Sequence, residues 1–222
     1  MISIERKQAF LDKLTRVTAY RLLRNLMAEA VEAFNSYDRA ECERFFALDE
    51  PDLWVEYADE GRFTGREALR ALLDAVMGKK RAVGEGATLF LTTPVIEVAG
   101  DGESAQGVWW CPIPMTALAE GGKTQAIWAF GSVAVDFLLL KGEWKIWHLH
   151  YFRVFKCKYE MGWVDDLSMI NRLNLPAHPL SEPCTYHNPY SPLSIRDGIP
   201  AAPRPYLHYK DASWMTKTRK DV

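Results

Sequence analysis

Residues 142 to 153 read Gly-Glu-Trp-Lys-Ile-Trp-His-Leu-His-Tyr-Phe-Arg, opening on the Lys141-Gly142 turn and running on through Val154 and Phe155 to Lys158. Aromatic and β-branched residues dominate, and no Pro interrupts, so 143 to 158 is predicted as one long strand. Upstream, 124 to 140, 104 to 118 and 87 to 99 have the same texture and are separated by Gly121-Gly122 and Asp101-Gly102. Together these four runs predict an antiparallel meander of long strands. Strands of that length need curvature to close on a core; Gly107, Gly131 and the Pro112/Pro114 pair are the expected bends.

Before residue 80 the apolar period changes to that of a helix. Phe10, Leu11, Leu14, Val17, Leu22, Leu26, Ala30, Val31 and Phe34 predict one long amphipathic helix, or two in tandem, over 5 to 35. Asp38 is placed to cap a short helix over 39 to 48, residues 53 to 59 alternate like a strand, and Gly61 and Gly65 bracket a turn before a third helix over 66 to 77. The order gives an α+β domain with three N-terminal helices packed in a highly curved antiparallel sheet that leaves a one-ended apolar pocket. Beyond about residue 158, eight prolines from Pro176 to Pro205 crowd among Tyr186, Tyr190, Tyr206, Tyr209 and Trp214. Residues 159 to 222 are therefore expected to form an extended arm packed on the 1 to 158 domain or on a neighbouring subunit.

The 222 residues carry 27 Lys+Arg against 29 Asp+Glu, a net charge of −2. That balance provides no broad basic field for nucleic acid, and the Lys79-Lys80-Arg81 and Lys217 to Lys220 clusters are too short to supply one. Cys42, Cys111, Cys157 and Cys184 lie far apart with no Cys-x-x-Cys pair, which fits reduced core thiols rather than a structural zinc site. No window approaches a membrane span and the N-terminus lacks a signal-peptide core, so a cytoplasmic location with no membrane partner is expected. Nucleotide fingerprints and the nucleophile-elbow motif are absent.

The element order, the phrase Trp-Val-Glu-Tyr-Ala-Asp-Glu-Gly-Arg-Phe-Thr-Gly at 54 to 65, and the last-strand pattern of Gly142, Trp144, Lys145, Ile146, His148, Tyr151 and Arg153 together resemble the SnoaL-like branch of the nuclear transport factor two-like superfamily, over roughly residues 8 to 158. The resemblance implies a cone-shaped fold that hosts cofactor-free lyases, isomerases and cyclases as well as non-catalytic subunits. It places Tyr57 where the dehydratases of the family carry a cavity tyrosine, and Arg153 where a bile-acid dehydratase holds a pocket arginine. It also shows departures. Phe34-Asn35 replaces the dehydratases' Tyr-Asp pair, and their histidine falls near Thr88. Formaldehyde-releasing lyases of lignin-derived propanediols share the fold and suit a chain with eight Trp.

His148 and His150 fall on one face of the last strand and are candidates for an acid-base pair; as metal ligands they lack a third partner close in sequence, so no metal is expected. Tyr151 and Arg153 fall on the opposite face, and only a bulge would let both faces line one pocket. Arg153 is expected to hold an oxyanion, its alternative being an ion pair with Asp136 or Glu160. Tyr57 is expected to donate a hydrogen bond to the same oxygen. Tyr20 and Arg24, four apart on the first helix, Asn35 at its end, and Trp109, Trp110, Trp128 and Tyr151 are the expected substrate contacts; for each the alternative is a core or capping role.

The expected activity is thus a cofactor-independent lyase that eliminates water, or a small aldehyde such as formaldehyde, from a hydroxylated aromatic or polycyclic small molecule. A non-catalytic scaffold subunit and an isomerase or polyketide-type cyclase are the alternatives. An apolar convex sheet face predicts a homodimer or homotrimer.

Overall fold

The computed structural model describes residues 3–78, 82–218 and 220; the Lys79-Lys80-Arg81 cluster and Arg219 of the C-terminal cluster lie outside them. Helix α1 spans Ile4–Asn35, capped by Ser3, whose hydroxyl accepts from the Arg6 amide. Only its second half packs on the body, through Ala19, Leu23, Met27 and Ala33. Helix α2, Arg39–Arg44, is capped by Asp38 as its sequence predicts, and ends earlier than the apolar pattern suggests because Phe45 and Phe46 turn toward the last strand, Phe46 bridging to Ile146. Helix α3 covers Gly65–Met77 and buries Ala68, Leu69, Leu72, Leu73 and Met77 at helical spacing.

The long meander strands are β5 (Ser104–Leu118), β6 (Thr124–Leu140) and β7 (Glu143–Lys158), each antiparallel to the next. The run expected over 87 to 99 is instead two short pieces, β3 (Gly86–Ala87) and β4 (Val95–Val98), both paired with β5. Between them the amides of Thr88, Phe90 and Thr92 still bond β5 carbonyls, and Pro94, which has no N–H to donate, stands where the ladder is interrupted. Strand β1 (Trp54–Tyr57) lies parallel to β7 and antiparallel to β2 (Gly61–Thr64), so the segment between Gly61 and Gly65 is a strand rather than a plain turn. The sheet runs β3-β5-β6-β7-β1-β2-β8, where β8 is the two-residue Ser181–Glu182 from the arm. The helices fill its concave side, giving the α+β cone.

Two register shifts curve the sheet between β6 and β7, one at Phe130/Gly131 and one at Asp136/Phe137. They leave Val154 and Trp147 as the extra residues. Gly131 is indispensable at the first. A Cβ there would stand 2.4 Å from the Phe152 carbonyl oxygen and 2.5 Å from the Tyr151 ring.

The arm after β7 begins with α4 (Gly162–Asp165) and returns across the sheet's convex face. There Trp54, Ala134 and Phe152 pack with Ile199, Trp214 and Met215 in a second apolar cluster. The part of that face formed by Trp54, Ala134 and Phe152 is therefore covered by the chain itself. All four cysteines are buried and free. Among the described residues no helix is long and apolar enough to cross a membrane.

Candidate active site

Between α1, α3 and the concave side of the sheet lies a cavity of about 100 Å³. Met27, Val31, Phe34, Leu72, Leu89, Val133, Ile146 and Leu149 make its wall together with the rings of Tyr57 and Tyr151, and its lining is almost wholly apolar. The two tyrosine rings lie 5.3 Å apart, because Tyr57 and Tyr151 are register partners on the neighbouring parallel strands β1 and β7.

Behind Tyr151, and two residues on along the same face, Arg153 donates from Nη1 to the Tyr151 hydroxyl at 3.2 Å and from Nε to Asp59 Oδ2 at 3.0 Å. Burial works against the charge on Arg153, but Tyr151 and Asp59 outweigh it and raise the guanidinium pKa. The cluster thus holds a fixed cation beside an otherwise apolar space. Burial pushes the Tyr57 phenol up to about 12 and Tyr151 in the same direction, so both remain hydrogen-bond donors at neutral pH. Asp59 Oδ1 is buried with no hydrogen-bond partner.

The partner of Arg153 is Asp59, in the 3-10 turn Ala58–Glu60, rather than either acid the sequence suggested. Asp136 lies on the other side of the sheet. Sequence reading also passed over Lys156, which is partly buried near Arg153, Asp59 and Glu60; burial and then Arg153 lower its pKa. The signal for it was the bulge at Val154, which shifts the alternation by one.

The two histidines do not reach the cavity. Both register shifts fall outside 148 to 153, so strict alternation holds across this stretch: Leu149 and Tyr151 face the cavity, while His148 and His150 face the arm. His148 Nδ1 lies 3.0 Å from Asp136 Oδ2, and Tyr209 and Trp214 from the arm donate to the same carboxylate at 2.9 and 2.7 Å. His150 Nδ1 is 3.3 Å from Glu56 Oε2. The expected grouping of an imidazole base with Tyr57 and Arg153 is accordingly not formed, because the sheet itself stands between them.

The other expected contacts scatter. Tyr20 and Arg24 meet each other, guanidinium over ring at 5.8 Å, and neither lines the cavity. Asn35 clasps Leu89, donating to its carbonyl at 3.0 Å and accepting from its amide at 2.8 Å. That clasp stands between the cavity, which Phe34 and Leu89 line, and an open groove lined by Asn35, Thr88, Met115 and Trp128. Trp109 is core, edge-on to Phe137; Trp110 is outward, stacked on Phe130 beneath Arg196; Trp128 stacks on Tyr159 at the groove.

Residues 15–150 match the SnoaL-like domain family. The chain belongs to that family. Solved structures similar to this SnoaL-like chain include a scytalone dehydratase-like protein of Novosphingobium aromaticivorans, 14% identical, covering 72% of this chain and 99% of its own, with a TM-score of 0.55. The hexachlorocyclohexane dehydrochlorinase LinA-type3 of Novosphingobium barchaimii is 14% identical over 66% of this chain and 93% of its own, at 0.55. A nuclear transport factor 2-like superfamily protein of Salmonella enterica is 18% identical over 62% and 92%, at 0.51. At such identities the likeness is one of fold alone. No curated protein sequence matches the SnoaL-like chain.

Proposed function

We propose that this SnoaL-like protein is a cofactor-independent lyase that eliminates water or a small aldehyde from a hydroxylated aromatic substrate held in the cavity. The observation that carries the reading is the Arg153 cation hydrogen-bonded to the Tyr151 hydroxyl, directly behind an apolar cavity whose wall includes the Tyr57 and Tyr151 rings. An elimination needs a proton acceptor, a group that stabilises the oxyanion and help for the departing oxygen. Arg153 and the two phenols fill the last two roles. Asp59, with one carboxylate oxygen unpartnered, is the nearby group able to take a proton. A positioned acid or base contributes about 10²–10⁴-fold and an oxyanion donor about 10²–10³-fold, so these residues suffice without a cofactor. The fold shared with a dehydratase-like protein and a dehydrochlorinase, both named for elimination chemistry, supports the class.

The enclosed volume argues for a small guest. An engineered cavity of about 150 Å³ accepts benzene, so about 100 Å³ takes one ring only after its flexible wall, Met27 and Leu72 among it, gives way. A fused polycycle is larger than this space, and the rest of such a substrate would lie in the groove beyond the Asn35 clasp.

The same small volume, together with the Arg153–Asp59 pair, favours as second reading a binding protein without turnover. Incubating the protein with aryl propanediols, β-hydroxy ketones and hydroxylated single-ring compounds, with mass spectrometry of the products, separates the two. Loss of water or formaldehyde supports the lyase. Isomerised product of unchanged mass, detected by chromatography, would move the assignment to an isomerase or cyclase. Retention of a compound without conversion supports the binding protein.

A further inference from the structure

On the convex side, away from the cavity, Glu56 of β1 and His150 of β7 are register partners on parallel strands and project to the same face. Cys184, two residues past β8 on the arm, comes down onto them. All three side chains are buried, and their ligand atoms lie within 4.8 Å of one another.

His150 is only 1% exposed, yet its Nδ1 has no hydrogen-bond partner. The ring also bonds the Tyr186 backbone, an interaction that favours a protonated nitrogen there and so leaves Nδ1 with its lone pair. An imidazole whose second nitrogen donates to a backbone carbonyl is the usual arrangement of a metal-ligating histidine. Nδ1 points at the cluster, 3.3 Å from Glu56 Oε2. A tetrahedral cation bound at about 2.0–2.1 Å to nitrogen and oxygen sets those two atoms roughly 3.3 Å apart.

The carboxylate is itself held in place. Thr185 donates to Glu56 from its amide at 2.7 Å and from its hydroxyl at 2.9 and 3.0 Å, while Arg62 stands 3.5 Å from Oε1. The thiol of Cys184 donates to the Ala58 carbonyl at 3.4 Å, and the Gly61 backbone also hydrogen-bonds the sulfur.

We propose that Glu56, His150 and Cys184 bind a Zn(II)-type divalent cation that fastens the C-terminal arm to the back of the sheet. A donor set of thiolate, imidazole and carboxylate selects zinc over magnesium or calcium, which take oxygen alone. Binding expels the Cys184 thiol proton to solvent, and water or the Ala58 carbonyl oxygen supplies the fourth ligand. Two ligands come from the sheet and one from the arm, so the cation ties residues up to 128 positions apart and stabilises the folded chain by mass action. It lies across the sheet from Tyr57 and Arg153, and its role is structural.

Because the site is buried, the full chain is unfolded in chelator, then refolded with Co(II) or Zn(II) and freed of excess metal. The expected result is one Co(II) per chain with a sulfur-to-cobalt charge-transfer band in the near ultraviolet. Cys184→Ser should abolish the band, whereas Cys157→Ser, a buried thiol elsewhere, should keep it; His150→Ala should weaken binding at least tenfold. X-ray absorption on the zinc-loaded unmodified protein covers the case in which these variants fail to refold, and should show one sulfur at about 2.3 Å among nitrogen and oxygen ligands. No retained metal, no sulfur in the shell, or a band that survives Cys184→Ser overturns the proposal and leaves the cluster a buried Glu56–His150 contact without a metal role.

Discussion

Arg153 Nε and Asp59 Oδ2 face each other at 3.0 Å, joining the last long strand to the tight turn that follows β1. The pair fixes where the guanidinium sits, and through Nη1 it orients the Tyr151 hydroxyl as well. Arg153→Lys keeps the charge but loses the planar fork that reaches both partners. A fall in kcat/KM of about 10²–10³-fold is expected for it and for Tyr57→Phe, measured by steady-state turnover of whichever substrate the panel yields. Turnover within a few-fold of the unmodified protein would remove both residues from the reaction.

The cavity wall gives a second expectation. Leu72→Ala deletes a buried side chain that lines the space, at a cost of about 2–5 kcal/mol in stability. The same change enlarges the cavity toward the size of a ring. Tighter binding of a single-ring probe despite lower denaturant resistance is the expected pair of results, and calorimetric titration beside chemical denaturation reads both.

Gly131→Ala tests the bend. The new methyl would sit within 2.5 Å of the Tyr151 ring and the Phe152 backbone, so one of them has to move. We expect about 1–3 kcal/mol of destabilisation, with activity reduced beyond the loss of folded protein because Tyr151 is displaced. Retained activity per folded molecule would separate the bend from the site.

Several buried groups make stability alkali-sensitive. Burial raises the Tyr57 phenol from 10.0 to about 12 and the Cys42 and Cys111 thiols from 9.0 to about 12. Each folded pKa lies above its unfolded value, so between about pH 9 and pH 12 the unfolded chain loses protons that the folded one retains. Their contribution is intact below pH 9 and is lost as pH climbs through that window. Denaturation midpoints should fall steadily over that range, and Cys111→Ala and Tyr57→Phe should flatten the slope. A flat profile in the unmodified protein would contradict it.

Trp214 holds the arm's end by donating to Asp136 at 2.7 Å. Asp136 is fully buried and receives three side-chain contacts, from His148, Tyr209 and Trp214. Trp214→Phe preserves the ring and removes that donor, at a cost of about 1–3 kcal/mol. Limited proteolysis should then cut the 159 to 222 segment earlier than the domain. Unchanged cleavage kinetics would show that the apolar packing alone secures the arm.

Residue type and period carried most of the architecture. The three long strands, α1 and α3 were legible from their apolar spacing, the Asp38 cap from its position, and the turns from Asp101-Gly102 and Lys141-Gly142, because local backbone preferences act over a few residues. Alternation on β7 also separated His148 and His150 from Tyr151 and Arg153. Sequence left open whether a bulge would reunite them. The choice depends on how β6 and β7 slide against each other over the concave core, and that decided which groups share the cavity.

Other features were decided at longer range. Neither the parallel pairing of β1 with β7, which sets Tyr57 beside Tyr151 and Glu56 beside His150, nor the descent of Cys184 onto that second pair has a local signal, since the partners are 34 to 128 positions apart. The Pro- and Tyr-rich arm announced that it packs on something, but its composition is equally suited to its own sheet or to another's. What the sequence determined by itself was the α+β order of the elements and the separation of His148 and His150 from Tyr151 and Arg153 along β7, since both follow from short-range periodicity. The pairing of Arg153 with Asp59, the burial of both histidines under the arm and the size of the cavity were set only by the tertiary structure, because they arise from contacts between segments whose approach is governed by the packing of the whole core.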